Sequence, residues 1–132
     1  MSQTLKVGFV SLGCPKNQLD AEVMLHELYD AGFEIVSEDI DADVVIVNTC
    51  AFIESAKQES IDNIIDIGWL KKNRQLKGIV VTGCLAERYR DAIFDELPEV
   101  DAVLGVGSIH DIVKAVKSAA KGKRYSSYLD KD

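Results

Sequence analysis

The sequence predicts an α/β domain, a parallel sheet of about five strands with helices packed on both faces. The first sign is alternation. Short β-rich runs are each followed by a segment whose apolar residues recur at helical spacing. The second is the content of two runs, Val44-Val45-Ile46-Val47 and Ile79-Val80-Val81. Both are apolar without interruption, as strands buried on both faces are. The third is size, since 132 residues, 47% hydrophobic and 28% charged, suit one globular domain able to bury a real core. Right-handed crossovers then favour the strand order 2-1-3-4-5 of a flavodoxin-like three-layer sandwich.

The first strand is predicted over Val7 to Leu12, ending at Gly13. Asn17 is placed to cap the helix that follows, with Pro15 limiting how early that helix starts. Leu19, Val23, Met24, Leu28 and Ala31 share one helical face, and Gly32 is a natural stop. Phe33 to Val36 is a short second strand, followed by an acidic loop from Ser37 to Asp43. The third strand, Val44 to Val47, runs into Asn48-Thr49-Cys50. A long helix is expected from about Phe52 to Asn73, with Ile53, Ala56, Ser60, Ile61, Ile64 and Ile65 as its buried stripe. Trp69 and Tyr89 read as packing residues.

The fourth strand, Ile79 to Thr82, leads into Gly83-Cys84. The next helix turns Leu85, Tyr89, Ile93 and Leu97 inward and stops before Pro98. Ala102 to Leu104 is a fifth strand. Ser108 then caps a helix carrying Ile109, Ile112, Val113 and Val116, with Asp111 three residues on. Residues 1–120 are thus expected to form the domain. The stretch KGKRYSSYLDKD, 121–132, has no periodicity and reads as a linker or tail.

Charge and composition narrow the function classes. The net charge of -7 opposes phosphate-backbone binding, so direct nucleic-acid recognition is not expected of this domain alone. No apolar run approaches the roughly 20 residues that cross a bilayer. The N-terminus lacks the apolar core of a secretory signal, so a cytoplasmic location with reduced thiols is expected. Three cysteines cannot all pair, which turns attention to metal or redox chemistry.

Those three cysteines, Cys14, Cys50 and Cys84, each follow a predicted strand. In a parallel sheet all strand carboxyl ends lie on one edge, and in the order above these three strands are neighbours. Adjacent strands are about 4.8 Å apart, so the outer two ends are about 10 Å apart. Short loops can bring three sulfurs from there onto one inorganic ligand. Each cysteine also precedes a helix start, where backbone N–H groups favour a thiolate. Three thiolates with no evident fourth ligand suit an iron–sulfur cluster with one open iron better than a closed zinc site. The plain alternative is three small hydrophobes at strand ends.

The segments SLGCPKNQLDAE at 11–22, NTCAFIESAKQESID at 48–62 and TGCLAERY at 82–89 resemble the N-terminal domain of the methylthiotransferases. These are radical enzymes that use S-adenosylmethionine to insert a methylthio group at an unactivated carbon. The resemblance spans about residues 5–120. Pro15-Lys16 after Cys14 and Ala51-Phe52-Ile53 after Cys50 are similar to the branch acting on a ribosomal protein, rather than to the sister branch acting on adenosine in transfer RNA. That resemblance implies β-methylthiolation of an aspartate in small-subunit ribosomal protein twelve. It also implies an auxiliary [4Fe–4S] cluster, used in sulfur delivery, on Cys14, Cys50 and Cys84.

Full members continue into a radical domain with a CxxxCxxC motif, which carries a second [4Fe–4S] cluster and S-adenosylmethionine, and then into a β-barrel domain. This chain has no such motif and no fourth cysteine. It is therefore expected to be part of a longer enzyme and inactive alone. The reading from another class is a non-enzymatic α/β interaction module whose cysteines pack or bind zinc.

Other candidates carry less. A flavin phosphate wants N–H groups in the loop after the first strand, where Pro15 has none to offer. Gly105-Val106-Gly107-Ser108 is more naturally a tight turn with a cap than a phosphate loop. Ser11, Lys16, Asn17 and Asn48 are candidates to line the cluster mouth, although Asn17 serves equally as a cap and Lys16 as a solvated charge. His26 and His110 read as surface residues.

Overall fold

Two uninterrupted apolar runs form the middle of the sheet, Val44–Thr49 (β3) and Gly78–Gly83 (β4). The computed structural model describes residues 6–11, 16–36, 42–49, 54–73, 76–83, 88–89, 92–97, 99–105 and 111–127. Within these, β3 and β4 are flanked by Lys6–Ser11 (β1), Glu34–Val36 (β2), Ala102–Leu104 (β5) and Tyr125–Ser127 (β6). The order is β2-β1-β3-β4-β5-β6, and every neighbouring pair is parallel. The predicted α/β class and the order 2-1-3-4-5 are borne out, and the chain's direction of winding reverses between β1 and β3.

The alternation of each strand divides the core into two layers. Val45, Val47, Ile79, Val81 and Val103 meet Ile64 and Ile67 of helix α2 (Glu54–Asn73) and Ile93 and Phe94 of helix α3 (Ala92–Glu96). Val7, Val44, Ile46, Val80 and Leu104 face the other way. They meet Met24 and Leu28 of α1 (Lys16–Asp30) and Ile112, Ala115, Val116 and Ala119 of α4 (Ile112–Ala120). All of the strand residues named in these two layers are fully buried. At about 25 cal/mol per Å² of apolar surface, these two faces are the main source of stability.

Register at the entry side of the sheet is set by one device used twice. Asp43, just before β3, donates its N–H to the Lys6 carbonyl (2.7 Å) and accepts the Lys6 N–H on Oδ2 (2.9 Å). Its own carbonyl accepts the N–H groups of Lys77 (2.7 Å) and Gly78 (3.3 Å). Asp101, just before β5, does the same one step along. It donates its N–H to the Ile79 carbonyl (2.9 Å), accepts the Ile79 N–H on Oδ2 (3.0 Å) and takes the Tyr125 N–H on its carbonyl (3.0 Å). Each aspartate therefore ties its own strand to a neighbour on both sides. A buried carboxylate such as Asp101, only 6% exposed, is tolerable because it accepts a backbone N–H.

Several expectations are corrected. The stretch read as a linker or tail supplies β6, a sixth strand paired in parallel with β5 through Ala102↔Tyr125, Val103↔Ser126 and Leu104↔Ser127. An edge strand needs backbone partners rather than an apolar run, so Tyr-Ser-Ser carries no periodic signal. Among the residues of α2 whose burial is described, Ile64, Ile67 and Gly68 are buried and Ile61 half-buried, whereas Ile65 and Trp69 are more than half exposed. Of the face expected for α1, Val23 is exposed while Met24 and Leu28 are buried, and Ala31 is exposed in the turn after the helix. Helix α1 begins at Lys16, so Asn17 lies inside its first turn and not at its cap. Helix α4 runs from Ile112 to Ala120 behind Asp111, and the cap expected at Ser108 lies outside the described residues.

Candidate functional site

Register locates the site without reference to the cysteine side chains. Across the three central strands Ser11 pairs with Asn48, and Asn48 with Thr82. These three residues form one row, and the row just before it is Val10, Val47 and Val81. Cys14 follows Ser11 by three residues, Cys50 follows Asn48 by two, and Cys84 follows Thr82 by two. The three cysteines thus leave the sheet from one row of three adjacent strands, on the carboxyl edge where β1 and β3 diverge. Cys14, Cys50 and Cys84 themselves lie outside the described residues. Among the described residues, no three His, Cys, Asp or Glu side chains gather as a metal site.

Local structure at the row explains how the chain leaves it. Gly83 has φ +98°, a left-handed conformation that costs a residue with a Cβ about 1–2 kcal/mol. Gly83 is the last residue of β4, still paired with Thr49, and Cys84 follows it in sequence. Helix α1 begins two residues after Cys14 and α2 four residues after Cys50. The first turn of a helix favours a nearby anion, and the effect decays within that turn.

The row is polar, and two of its members are buried. Asn48 is 1% exposed and Thr82 is fully buried. By strand alternation both share the face of Val44, Ile46 and Val80, towards α1 and α4. In β5, the next strand along, the matching position is Leu104, and no cysteine follows it. Tyr89 is half-buried against the α2–α3 layer, in keeping with a packing role, and lies within 5.7 Å of the Arg88 guanidinium. Of the histidines, His26 is exposed and pairs with Asp30 at 3.2 Å, a carboxylate partner one helical turn away that the sequence reading did not foresee. His110 lies outside the described residues. Asp43 and Asp101 were also not anticipated as structural carboxylates; their only sequence signal is an aspartate immediately before an apolar run.

The sequence model of a family described as Uncharacterized protein family UPF0004 matches residues 6–105, from β1 through β5. The chain belongs to that family. UPF0004 relatives bear out the resemblance to the methylthiotransferase N-terminal domain and to its ribosomal-protein branch. A protein of Lachnoclostridium phytofermentans is 47% identical over 97% of this chain and 29% of its own length. Proteins of Thermoanaerobacter sp. and Clostridioides difficile are each 50% identical, over 92% and 89% of this chain and 28% and 26% of their own lengths. All three are named Ribosomal protein uS12 methylthiotransferase RimO. The chain spans less than a third of the length of these relatives. Among the described residues no helix is long and apolar enough to cross a membrane.

Proposed function

We propose that this UPF0004 domain holds an auxiliary [4Fe–4S] cluster through Cys14, Cys50 and Cys84, within a longer enzyme that methylthiolates the aspartate β-carbon of ribosomal protein uS12. The observation that carries this reading is the row Ser11, Asn48 and Thr82, from which three neighbouring strands each reach a cysteine within two or three residues. The donor set fits the group, since soft thiolates are the usual ligands of iron–sulfur clusters. Bound there, such a cluster would supply one iron without a protein ligand, where sulfur is taken up or delivered.

The chain's own residues have separate tasks in this scheme. The sheet spaces the three loops at about 5 Å intervals. Gly83 ends β4 immediately before Cys84, and the first turn of α1 favours the thiolate form of Cys14. Thiolates kept ready for iron belong in a reducing compartment, in line with a cytoplasmic enzyme. S-adenosylmethionine, the second [4Fe–4S] cluster and the radical chemistry are assigned to the radical domain of the longer enzyme, with a β-barrel domain helping to bind substrate. The uS12 reading is preferred over transfer RNA because the relatives carry that name and the domain's charge of -7 disfavours a nucleic-acid partner.

Anaerobic reconstitution of the 132-residue chain with iron and sulfide tests the proposal. The expected result is a brown chain with one cluster's worth of iron and sulfide, lost in each of the variants Cys14→Ala, Cys50→Ala and Cys84→Ala. Equal cluster content without Cys50 would overturn it and favour the packing or zinc alternative.

A further inference from the structure

Asn48 occupies the centre of the polar row. Its strand, β3, lies between the two others that lead to cysteines, so the end of β3 adjoins the exits of both β1 and β4. The position is buried to 1% exposure, and the register partner Thr82 is buried completely. Burying an amide costs several kcal/mol unless it is fully hydrogen-bonded, and an apolar residue there would avoid that requirement. The neighbouring strand illustrates the choice. Leu104 fills the same row in β5, equally buried, where no cysteine follows. The row changes from valine to polar residues on the three strands that lead to cysteines, while β5 keeps an apolar residue.

A carboxamide is suited to the place because it donates and accepts at once. Where strands end, the ladder no longer pairs backbone N–H and C=O groups, and a buried loop must find other partners. From the middle strand one carboxamide can serve the loop on either side. We propose that Asn48 is a positioning residue for the thiolate site, fixing the exits of the Cys14, Cys50 and Cys84 loops relative to one another so that the three sulfurs converge. This rests on the reading that those cysteines hold the cluster. Groups that orient metal ligands without touching the metal commonly change metal affinity by about 10–100-fold when removed.

The test compares reconstituted wild-type chain with Asn48→Ala, Asn48→Asp and Val47→Ala. Val47 is buried one residue earlier, against the opposite helical layer, and its truncation lowers stability without touching the polar row. Asn48→Asp keeps the side-chain shape but loses the N–H donors, and it covers the case in which Asn48→Ala fails to fold. Iron loss to a chelator and the electron paramagnetic resonance spectrum of the reduced cluster are read together. The expected result is roughly 10-fold faster iron loss and an altered spectrum in both Asn48 variants, with Val47→Ala close to wild type. Wild-type retention and spectrum in the Asn48 variants would overturn the proposal, as would equally fast loss from Val47→Ala. If Cys50→Ala still takes up the cluster, the site itself is wrong and this inference falls with it. If uptake requires Cys50 but ignores Asn48, only the positioning role fails.

Discussion

The same strands end in opposite chemistries. At the entry edge, Asp43 and Asp101 each join three strands through backbone N–H and carbonyl groups and one carboxylate oxygen. Every group named there is used in holding register. At the exit edge the row Ser11, Asn48 and Thr82 leads to three cysteines, with a left-handed glycine before one of them. Buried polar residues there increase the demand for hydrogen bonds without adding apolar burial. The contrast teaches that the entry edge secures the fold, while the exit edge carries polar residues that the fold alone does not require, as the proposed cluster site would. Substitutions at the two edges should therefore separate stability from cluster uptake.

The largest loss of stability is expected from Gly78→Ala at the entry edge. A Cβ there would run into the backbone carbonyl of Ala119 at the end of α4, which cannot swing aside as a side chain can. Overpacking of this kind costs about 3 kcal/mol, read as a lower midpoint in urea denaturation. An unchanged midpoint would mean that α4 lifts off the sheet freely, and the entry edge would not be the rigid one.

Next comes Asp101→Ala, which strands the buried Ile79 N–H and should cost about 2 kcal/mol. Asp101→Asn keeps an acceptor and should recover part of that loss. Both variants should still take up iron and sulfide as wild type does once folded. Cluster loss in Asp101→Asn at full folding would break the separation between edges.

Gly83→Ala sharpens the comparison from the other side. It should cost about 1–2 kcal/mol for the left-handed backbone and also reduce cluster uptake, because Cys84 is misdirected. Stability loss with normal uptake would show that the turn serves the fold alone. The smallest effect is expected from Asp43→Ala, about 1 kcal/mol, since Asp43 is half-buried and water can replace its carboxylate. A cost equal to that of Asp101→Ala would contradict the role given to burial.

The parts legible in the sequence are those that hydrophobic patterning controls. Val44 to Val47 and Ile79 to Val81 announce central strands, and the alternation with helices fixes the sheet order. Less legible are choices among equivalent apolar residues. Isoleucines at 61, 64, 65 and 67 surround α2, so periodicity alone did not select Ile64 and Ile67 over Ile65. β6 is invisible to patterning because Tyr125–Ser127 is held by Asp101 and β5, and by Arg124 lying 5.0 Å over the Phe94 ring. For the site, spacing revealed which strands lead to cysteines, while the polar row beneath them emerged only from register. Asn48 stands out in sequence only through its nearness to Cys50, and Thr82 looks like an ordinary strand-end polar residue.

The clasp at Asp43 makes the sheet a measuring instrument. It zeroes β1, β3 and β4 against one another, and each strand then counts off the same few steps of about 3.3 Å to the far side. A slip of one step would carry a cysteine that distance out of line and turn its strand's inner face outward. The line on which the proposed thiolates stand is thus set at the opposite edge of the sheet, by an aspartate seven residues before Cys50.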